Sequence, residues 1–415
     1  MSIASSLPGE GIKKRVPLYL VFGYLAIAIF MTGDGFEQAF LSHYIVSLGF
    51  TKSDASFVFA AYGFCAGLAA WSAGILAEMF GPKRIMLCGA IIWLAFHSLF
   101  ITFGLDQKNY TLILLFYCFR AFGYPLFIYS FVVWISREVA PHKMALAMGW
   151  FWTMFMCGIG FMGSYVPSIT IPLMGEVNTL WLALCVVAVG AIMGYLALMT
   201  RPSTTQGSKG NAGEKLKQLS RGISLAIENK SILVSGIIYM ICPTAIFGFA
   251  VILPFHFMDT LGYSSTEWLR VWSVMLFVNM IMNVFSGALA NKVGWMRLVR
   301  WMAGVGVACS TLLFYYLPLH AGHSLYIAFA VAAFHGFCLT GFIPVSASFP
   351  LLAPEEKGAA ISLHNLSVGL GSCIGPAIAG ILLPLTGMAS VVWVYAGLYI
   401  IAGLLTFLVK LPKGY

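Results

Sequence analysis

Charge is what this sequence lacks. Of its 415 residues, 9% are Asp, Glu, Lys or Arg and 60% are apolar. A soluble domain carries roughly 25% charged residues. No soluble fold could cover so much apolar side chain, so the surface has to face mostly lipid. Other absences narrow the class. No cleavable leader is evident: the chain is polar through Lys14 and Arg15, and the first apolar run, 17–47, is too long for a leader's apolar stretch. The nine cysteines (Cys65, Cys88, Cys118, Cys157, Cys185, Cys242, Cys309, Cys338 and Cys373) all fall in apolar runs, with neither metal-ligand spacing nor a disulfide framework, which predicts buried, inert thiols. There is no nucleophile–base pair and no metal constellation, which argues against an enzyme; neither a cofactor nor a metal is expected. The absence of an appended signalling domain argues against a sensor.

What is present is a series of apolar segments: 17–47, 54–78, 85–104, 110–136, 144–167, 178–200, 231–258, 265–290, 298–317, 323–350, 358–383 and 388–409. Each is long enough to span a bilayer, about 20 residues as helix. The chain is therefore expected to be an all-α integral membrane protein of twelve transmembrane helices, with the bilayer as its main surroundings. The net charge of +9 raises nucleic acid as a partner, but its placement removes it. With the N-terminus inside, Lys13, Lys14, Arg15, Lys83, Arg84, Arg137, Lys143, Arg201, Lys209, Lys215, Lys217, Arg221, Lys230, Lys292, Arg297, Arg300, Lys357, Lys410 and Lys413 all fall in inner loops, 19 of 23 basic residues. Lys52, Lys108 and Arg270 fall outside, and Arg120 lies within a span. The positive-inside rule then predicts both termini in the cytoplasm.

One long polar segment, 201–230, divides the spans six and six, giving bundles over 1–200 and 231–415. Within it "EKLKQLSRGISLAI" has helical apolar spacing and is expected to lie along the membrane surface. The halves repeat at one offset of 213: "SLGFTKSD" (47–54) with "TLGYSSTE" (260–267), "GILAEMFGPKR" (74–84) with "GALANKVGWMR" (287–297), and "APHKMALA" (140–147) with "APEEKGAA" (353–360). Six spans per half give parallel repeats, facing one another across a central cavity.

Twelve spans, the six-plus-six repeat and "GILAEMFGPKR" after the second span resemble the major facilitator superfamily. Its loop motif falls on Gly74, Glu78, Gly81, Lys83 and Arg84, departing at Met79, where a base is usual, and at Pro82. The second copy is degraded, with Asn291 in place of the acid. The motif implies a conformational gate: Gly74 lets helices approach closely, and Glu78 pairs with a base across the loop. More narrowly, "FMTGDGFEQAFLSHYI", "RAFGYPLFIYS", "GWFW" and "KGAAISLHNLS" resemble bacterial polyol permeases, the ribitol and arabinitol group. That resemblance implies a multi-pass bacterial inner-membrane protein, here expected to be a monomer.

Three charged residues lie clearly inside spans: Asp34, Glu37 and Arg120. Asp34 and Glu37, spaced i, i+3, are expected on one helix face. Asp34 is roughly 20 Å and Arg120 roughly 15 Å from the outer ends of their helices, at 1.5 Å per residue, so contact is expected. Two acids and one base do not balance, and the spare negative charge favours uptake of a proton. In sugar:proton symporters of the superfamily an acid in helix 1 and an Arg in helix 4 couple the proton, and Asp34 and Arg120 match those positions. Which acid carries the proton stays open, with Asp34 favoured and Glu37 free to accept substrate hydroxyls. A static ion triad that only fixes packing is the alternative. A site with one Arg and two acids disfavours an anionic substrate and suits a neutral polyol.

Further polar groups inside spans are candidates for the substrate: Asn279 and Asn283, one turn apart; His364 and Asn365; His335; Trp272; and Trp152 for stacking, with Trp150 as an interface anchor. His97 has a weaker case, and His43, His256, His320 and His323 are expected near the outer interface. "GIGFMG", 158–163, fits a dinucleotide fingerprint but opens no βαβ unit, so close helix packing is expected there. The same segment lacks the Gly-Pro run of drug:proton antiporters, which speaks against export. The expected function is proton-coupled import of a pentitol by alternating access; the alternatives are an uncoupled facilitator, a symporter of another neutral polyol or sugar, and a non-transporting sensor.

Overall fold

The structure, a computed structural model, describes residues 18–139, 143–199 and 212–411, with side chains throughout except at 18–19, 145, 212–219 and 357. Lys13, Lys14, Arg15, Arg201, Lys209 and Lys413 and the first three residues of "APHKMALA" lie outside the described residues, as do the side chains of Lys215, Lys217 and Lys357.

Among the described residues all regular structure is helical. The first crossing is α1 (Leu18–Gly35) with α2 (Leu41–Ser47), the second α3 (Lys52–Phe80), the third α4 (Pro82–Leu99) and the fourth α5 (Tyr110–Arg120) with α6 (Gly123–Glu138). α7 (Met144–Met156) and α8 (Gly163–Met199) supply the fifth and sixth. α9 (Ala212–Glu228) lies between the halves. The second half has α10 (Lys230–Ile241) with α11 (Thr244–Pro254), α12 (Ser265–Val293), α13 (Trp295–Leu298) with α14 (Val307–Ala321), α15 (Leu325–Leu339) with α16 (Ile343–Leu352), α17 (Lys357–Thr386) and α18 (Met388–Leu405). Among the described residues ten stretches are long and apolar enough to span a membrane. One of them, Leu146–Met199, is 54 residues long and turns at Gly175, φ +82°, so it crosses twice. With the first crossing, apolar over Leu20–Gly35, that makes twelve.

The 213-residue repeat reaches backbone detail. α3 and α12 are both 29 residues long. Thr51 with Asp54, and Ser264 with Glu267, each build a capping box in which the hydroxyl accepts from the third residue's N–H and that residue's carboxylate accepts from the cap. Left-handed glycines precede each box, Gly49 at φ +107° and Gly262 at +75°, and follow each helix, Gly81 at +91° and Gly294 at +94°.

The halves meet through two helix pairs, α3 with α17 and α8 with α12. Let the near end be where α1 and α10 start, and the far end where those crossings finish. At the far end the halves are tied. Ser42 Oγ donates to Ala250 O (3.2 Å), Trp268 Nε1 to Ala39 O (2.7 Å) and Ser53 Oγ to Gly380 O (2.6 Å). Asp259 pairs with His43 at 3.0 Å and with Lys52 at 3.8 Å. Toward the near end the pairs part. A Cβ at Gly74, Gly149, Gly287 or Gly358 would meet nothing within 4 Å. The close helix approach expected at Gly74 is therefore absent, because α17 has already diverged there.

Three other expectations are corrected. The first crossing is not one helix. α1 ends at Gly35, where a Cβ would lie 2.6 Å from Ile159 O, and one on Gly33 would meet Val187 Cγ2 at 2.6 Å, so the fifth and sixth crossings pack against this end with no room for a side chain. This is the close packing expected of the Gly158 segment, whose own Cβ would lie 2.4 Å from Ala28 O. The thiols are free, but Cys88, Cys185 and Cys309 face outward on apolar surface rather than into the core. His256 is buried rather than interfacial, its Nε2 3.0 Å from Tyr315 O.

Candidate functional site

Two crossings break at one level. α1 stops at Gly35, α5 stops at Arg120 and α6 restarts at Gly123, where a Cβ would lie 2.5 Å from Trp93 Cβ. Asp34 is thus in the last turn of α1, and Glu37 sits in the turn before α2 rather than on the same helix face. The break still turns both carboxylates onto Arg120.

Arg120 Nη2 donates to Asp34 Oδ1 at 3.1 Å, and Nη1 pairs with Glu37 Oε1. Trp93 Nε1 donates to the same Asp34 oxygen at 2.5 Å, and the Tyr117 hydroxyl to Glu37 Oε1 at 3.0 Å. The guanidinium lies over three rings, Trp93 (4.6 Å), Tyr117 (5.1 Å) and Tyr62 (5.5 Å). His97 stacks on Trp93 at 4.4 Å and bonds Leu180 O at 3.0 Å. Asp34, Glu37 and Arg120 are at most 1% exposed. Fork-shaped pairing and cation–π contact offset the loss of water that such burial costs. With both acids ionised the group carries one net negative charge in a dry site, and Glu37 Oε2 has no hydrogen-bond partner among the described residues. Trp93, Tyr117 and Tyr62 were not singled out by sequence reasoning. Aromatics make up 15% of the chain, so three more carry no signal until the fold is seen.

The second-half candidates divide. Asn279 Nδ2 donates to Gly336 O at 3.1 Å and its Oδ1 accepts from Asn283 at 3.3 Å, binding α12 to α15. His335 is fully buried, with Nδ1 2.9 Å from Ser310 Oγ, between α14 and α15. Trp272 is 1% exposed beside Trp268. Direct substrate contact is thus closed to His335 and Trp272 in this conformation, because neighbouring side chains cover them. Partly open are Asn283, His364 and Asn365. His364 Nε2 is 3.0 Å from Ser346 Oγ, its Nδ1 is 3.1 Å from Asn365 Oδ1, and its ring is 4.4 Å from Tyr239. Trp152 is 39% and Trp150 41% exposed on α7, with Trp152 edge-on to Phe155. In the loop motif Gly81 takes the left-handed turn into α4, and Lys83 lies over the Tyr195 ring at 4.8 Å. Glu78 ends α3, and Arg84 sits in the first turn of α4.

Relatives place this architecture. The chain is 47% identical over 398 residues to a "Ribitol transporter" of Klebsiella pneumoniae, covering 96% of this chain and 93% of that one. It is 46% identical to the "D-arabinitol transporter" of the same organism, covering 96% and 94%. It is also 37% identical to an "Alpha-ketoglutarate permease" of Bacillus subtilis, covering 95% and 90%. A crystal structure of the nucleoside transporter NupG superposes with a TM-score of 0.76 over 95% of this chain and 100% of that one, at 14% identity, a likeness of fold. The family model described as Major Facilitator Superfamily matches residues 23–354 and 322–414. The chain is a multi-pass membrane protein and belongs to the major facilitator superfamily of transporters.

Proposed function

We propose that the protein is a proton-coupled importer of a neutral sugar alcohol, a pentitol such as ribitol or arabinitol, working by alternating access between bundles 1–200 and 231–415 with 201–230 as linker. The substrate class is carried by the 46–47% identity to transporters named for ribitol and D-arabinitol. The coupling is carried by one observation: two carboxylates share a single guanidinium in a site that excludes water. A proton taken up by Asp34 or Glu37 cancels the spare charge and weakens the pairing with Arg120, which frees the broken helices to repack. The positive-inside distribution supports a cytoplasmic near end, and the bacterial relatives support a bacterial inner membrane, which makes this conformation closed outward.

Proteoliposomes test this directly. Ribitol or D-arabinitol added outside should acidify the lumen, and D34N should lose uphill accumulation while keeping exchange. Undiminished uphill uptake in D34N, or uptake with no proton movement, would leave an uncoupled facilitator. A second reading, import of a dicarboxylate, has one observation for it, the 37% identity to the permease named for alpha-ketoglutarate. A single Arg already engaged by two acids offers no spare cation to a dianion. Uptake of 2-oxoglutarate with none of pentitol would favour that second reading instead.

A further inference from the structure

The second copy of the loop motif keeps its turn and changes its charge. Gly81 and its repeat mate Gly294 are both left-handed. Around them, at the 213-residue offset, Glu78 is replaced by Asn291, Met79 by Lys292, Leu87 by Arg300 and Ala197 by Lys410. Arg84 keeps its charge as Arg297, and Lys83 gives way to Met296. One acid and two bases, net +1, thus become four bases, net +4. Among the described residues none of the four pairs with a carboxylate.

A cavity of about 290 Å³ opens at this point of the near end, between the start of the ninth crossing and the end of the twelfth. Arg297 lines it, with Val293, Trp295 and Met296 on one side and Val409 and Leu411 on the other. Lys292 is the chain neighbour of Val293, and Lys410 stands between Val409 and Leu411. Trp295 Nε1 donates to Asn291 Oδ1 at 3.0 Å, so the residue that replaced the acid now holds the indole in the wall. Arg300 ties the two walls together. Its Nε donates to Thr406 Oγ1 at 3.0 Å, and its guanidinium lies 3.4 Å from the centre of the Phe407 ring. Phe407 is 64% and Trp301 63% exposed, so apolar surface runs up to the cavity on both crossings.

We propose that this cavity binds the phosphate headgroup of an anionic phospholipid from the near leaflet, with the acyl chains along the exposed apolar surface of Phe407 and Trp301. The chemistry is complementary on three counts. Unpaired bases attract a phosphate, and basic pockets between transmembrane helices at the membrane boundary take such headgroups. Tryptophan seats at that boundary. The volume is at the small end of ligand sites, which begin at about 300 Å³, so a headgroup enters and the chains stay outside. A neutral polyol has no use for the bases, and a free anion has none for the apolar surface. The first half, with Glu78, Leu87 and Ala197 at the matching positions, lacks this charge, so the site belongs to the second half alone. The bound headgroup bridges the loop before the ninth crossing and the end of the twelfth. The proposal stands whatever substrate is carried.

Native mass spectrometry of the purified full chain, titrated separately with phosphatidylglycerol, phosphatidylcholine and inorganic phosphate, tests the site. Phosphatidylglycerol should bind far more tightly than the other two. Arg297→Gln and Lys410→Gln should each raise its Kd about fivefold, the effect of removing one base beside an anionic headgroup. The ligand-free melting temperature should not move, since both side chains are exposed. Lys83→Gln removes a base at the same end but outside the cavity, and its Kd should match wild type. A Kd raised as much by Lys83→Gln as by Arg297→Gln would reduce the effect to general attraction by a positive surface and overturn the site. Equal binding of phosphatidylcholine and phosphatidylglycerol, unchanged in the variants, would overturn it too. If inorganic phosphate binds as tightly as phosphatidylglycerol and Arg297→Gln weakens both alike, the lipid assignment falls.

Discussion

At the residue scale the triad is the feature most legible in the sequence, because an ion in an apolar run is visible without a structure. Its setting was not. Trp93 and Tyr117 complete the coordination of Asp34 and Glu37, yet neither differs in type or spacing from dozens of other aromatics. The geometry predicts an ordered series at position 120. Arg120→Ala leaves two carboxylates buried without a partner, and breaking a buried pair costs about 3–5 kcal/mol; its thermal midpoint should fall and uptake should vanish. Arg120→Lys restores the charge but not the two-pronged donor. It should recover much of the stability lost in the alanine variant while uptake stays at least about tenfold below wild type. Equal uptake by the lysine variant and wild type would show that charge alone suffices there.

At the scale of elements, hydropathy marked where the crossings are but not where they break. The break at Gly35 falls where Gly33 and Gly35 pack on the fifth and sixth crossings, a tertiary contact that no local pattern carries. The glycines flanking Asp34 were the one local hint. By contrast the repeat was legible down to its caps, because capping chemistry is local. Thr51→Ala and Ser264→Ala should each lower stability by about 1 kcal/mol, by similar amounts in denaturant melts, since each removes the same bond from the same motif. The linker helix was legible from its apolar spacing. α9 packs on α17, α3 and α10 rather than standing alone. Arg221 clamps it, donating to Glu356 at 2.7 and 2.8 Å and to Glu228 at 2.6 and 2.9 Å. Hydrogen bonds from Arg221 hold the Glu356 carboxyl below its usual range of about 4.5. The sign follows: a depressed folded value contributes stability above the unfolded value and loses it as pH falls through the folded one. Proteolytic cutting of the linker should therefore be slow at neutral pH and faster at pH 3.5, and Glu356→Gln should remove that pH dependence.

At the scale of the molecule, two helix pairs are tied at one end and parted at the other. Nothing in the sequence announced which end would be sealed: under the alternating access proposed above, both packings would belong to one chain and differ by a small free energy. The ties at the far end are mostly neutral hydrogen bonds, with one acid, Asp259, shared by His43 and Lys52 at the exposed rim. An exposed ion pair contributes about 0.2–1 kcal/mol, so Asp259→Asn should shift the balance between open and closed by no more than about fivefold, seen as a modest rise in cysteine labelling from the far side. The Ser53–Gly380 contact offers a stronger lever, since its two backbones are bridged by a single side chain. Replacing both with cysteine, Ser53→Cys with Gly380→Cys, should let oxidant join α3 to α17 across the halves. A rocking transporter locked there cannot open its far end, so uptake should stop under oxidant and return with reductant. Pentitol binding from the near end should persist, because the near end stays parted in the locked form. Oxidised protein that still transports would mean that these helices need not separate, and that access alternates by some motion other than rocking about this crossing.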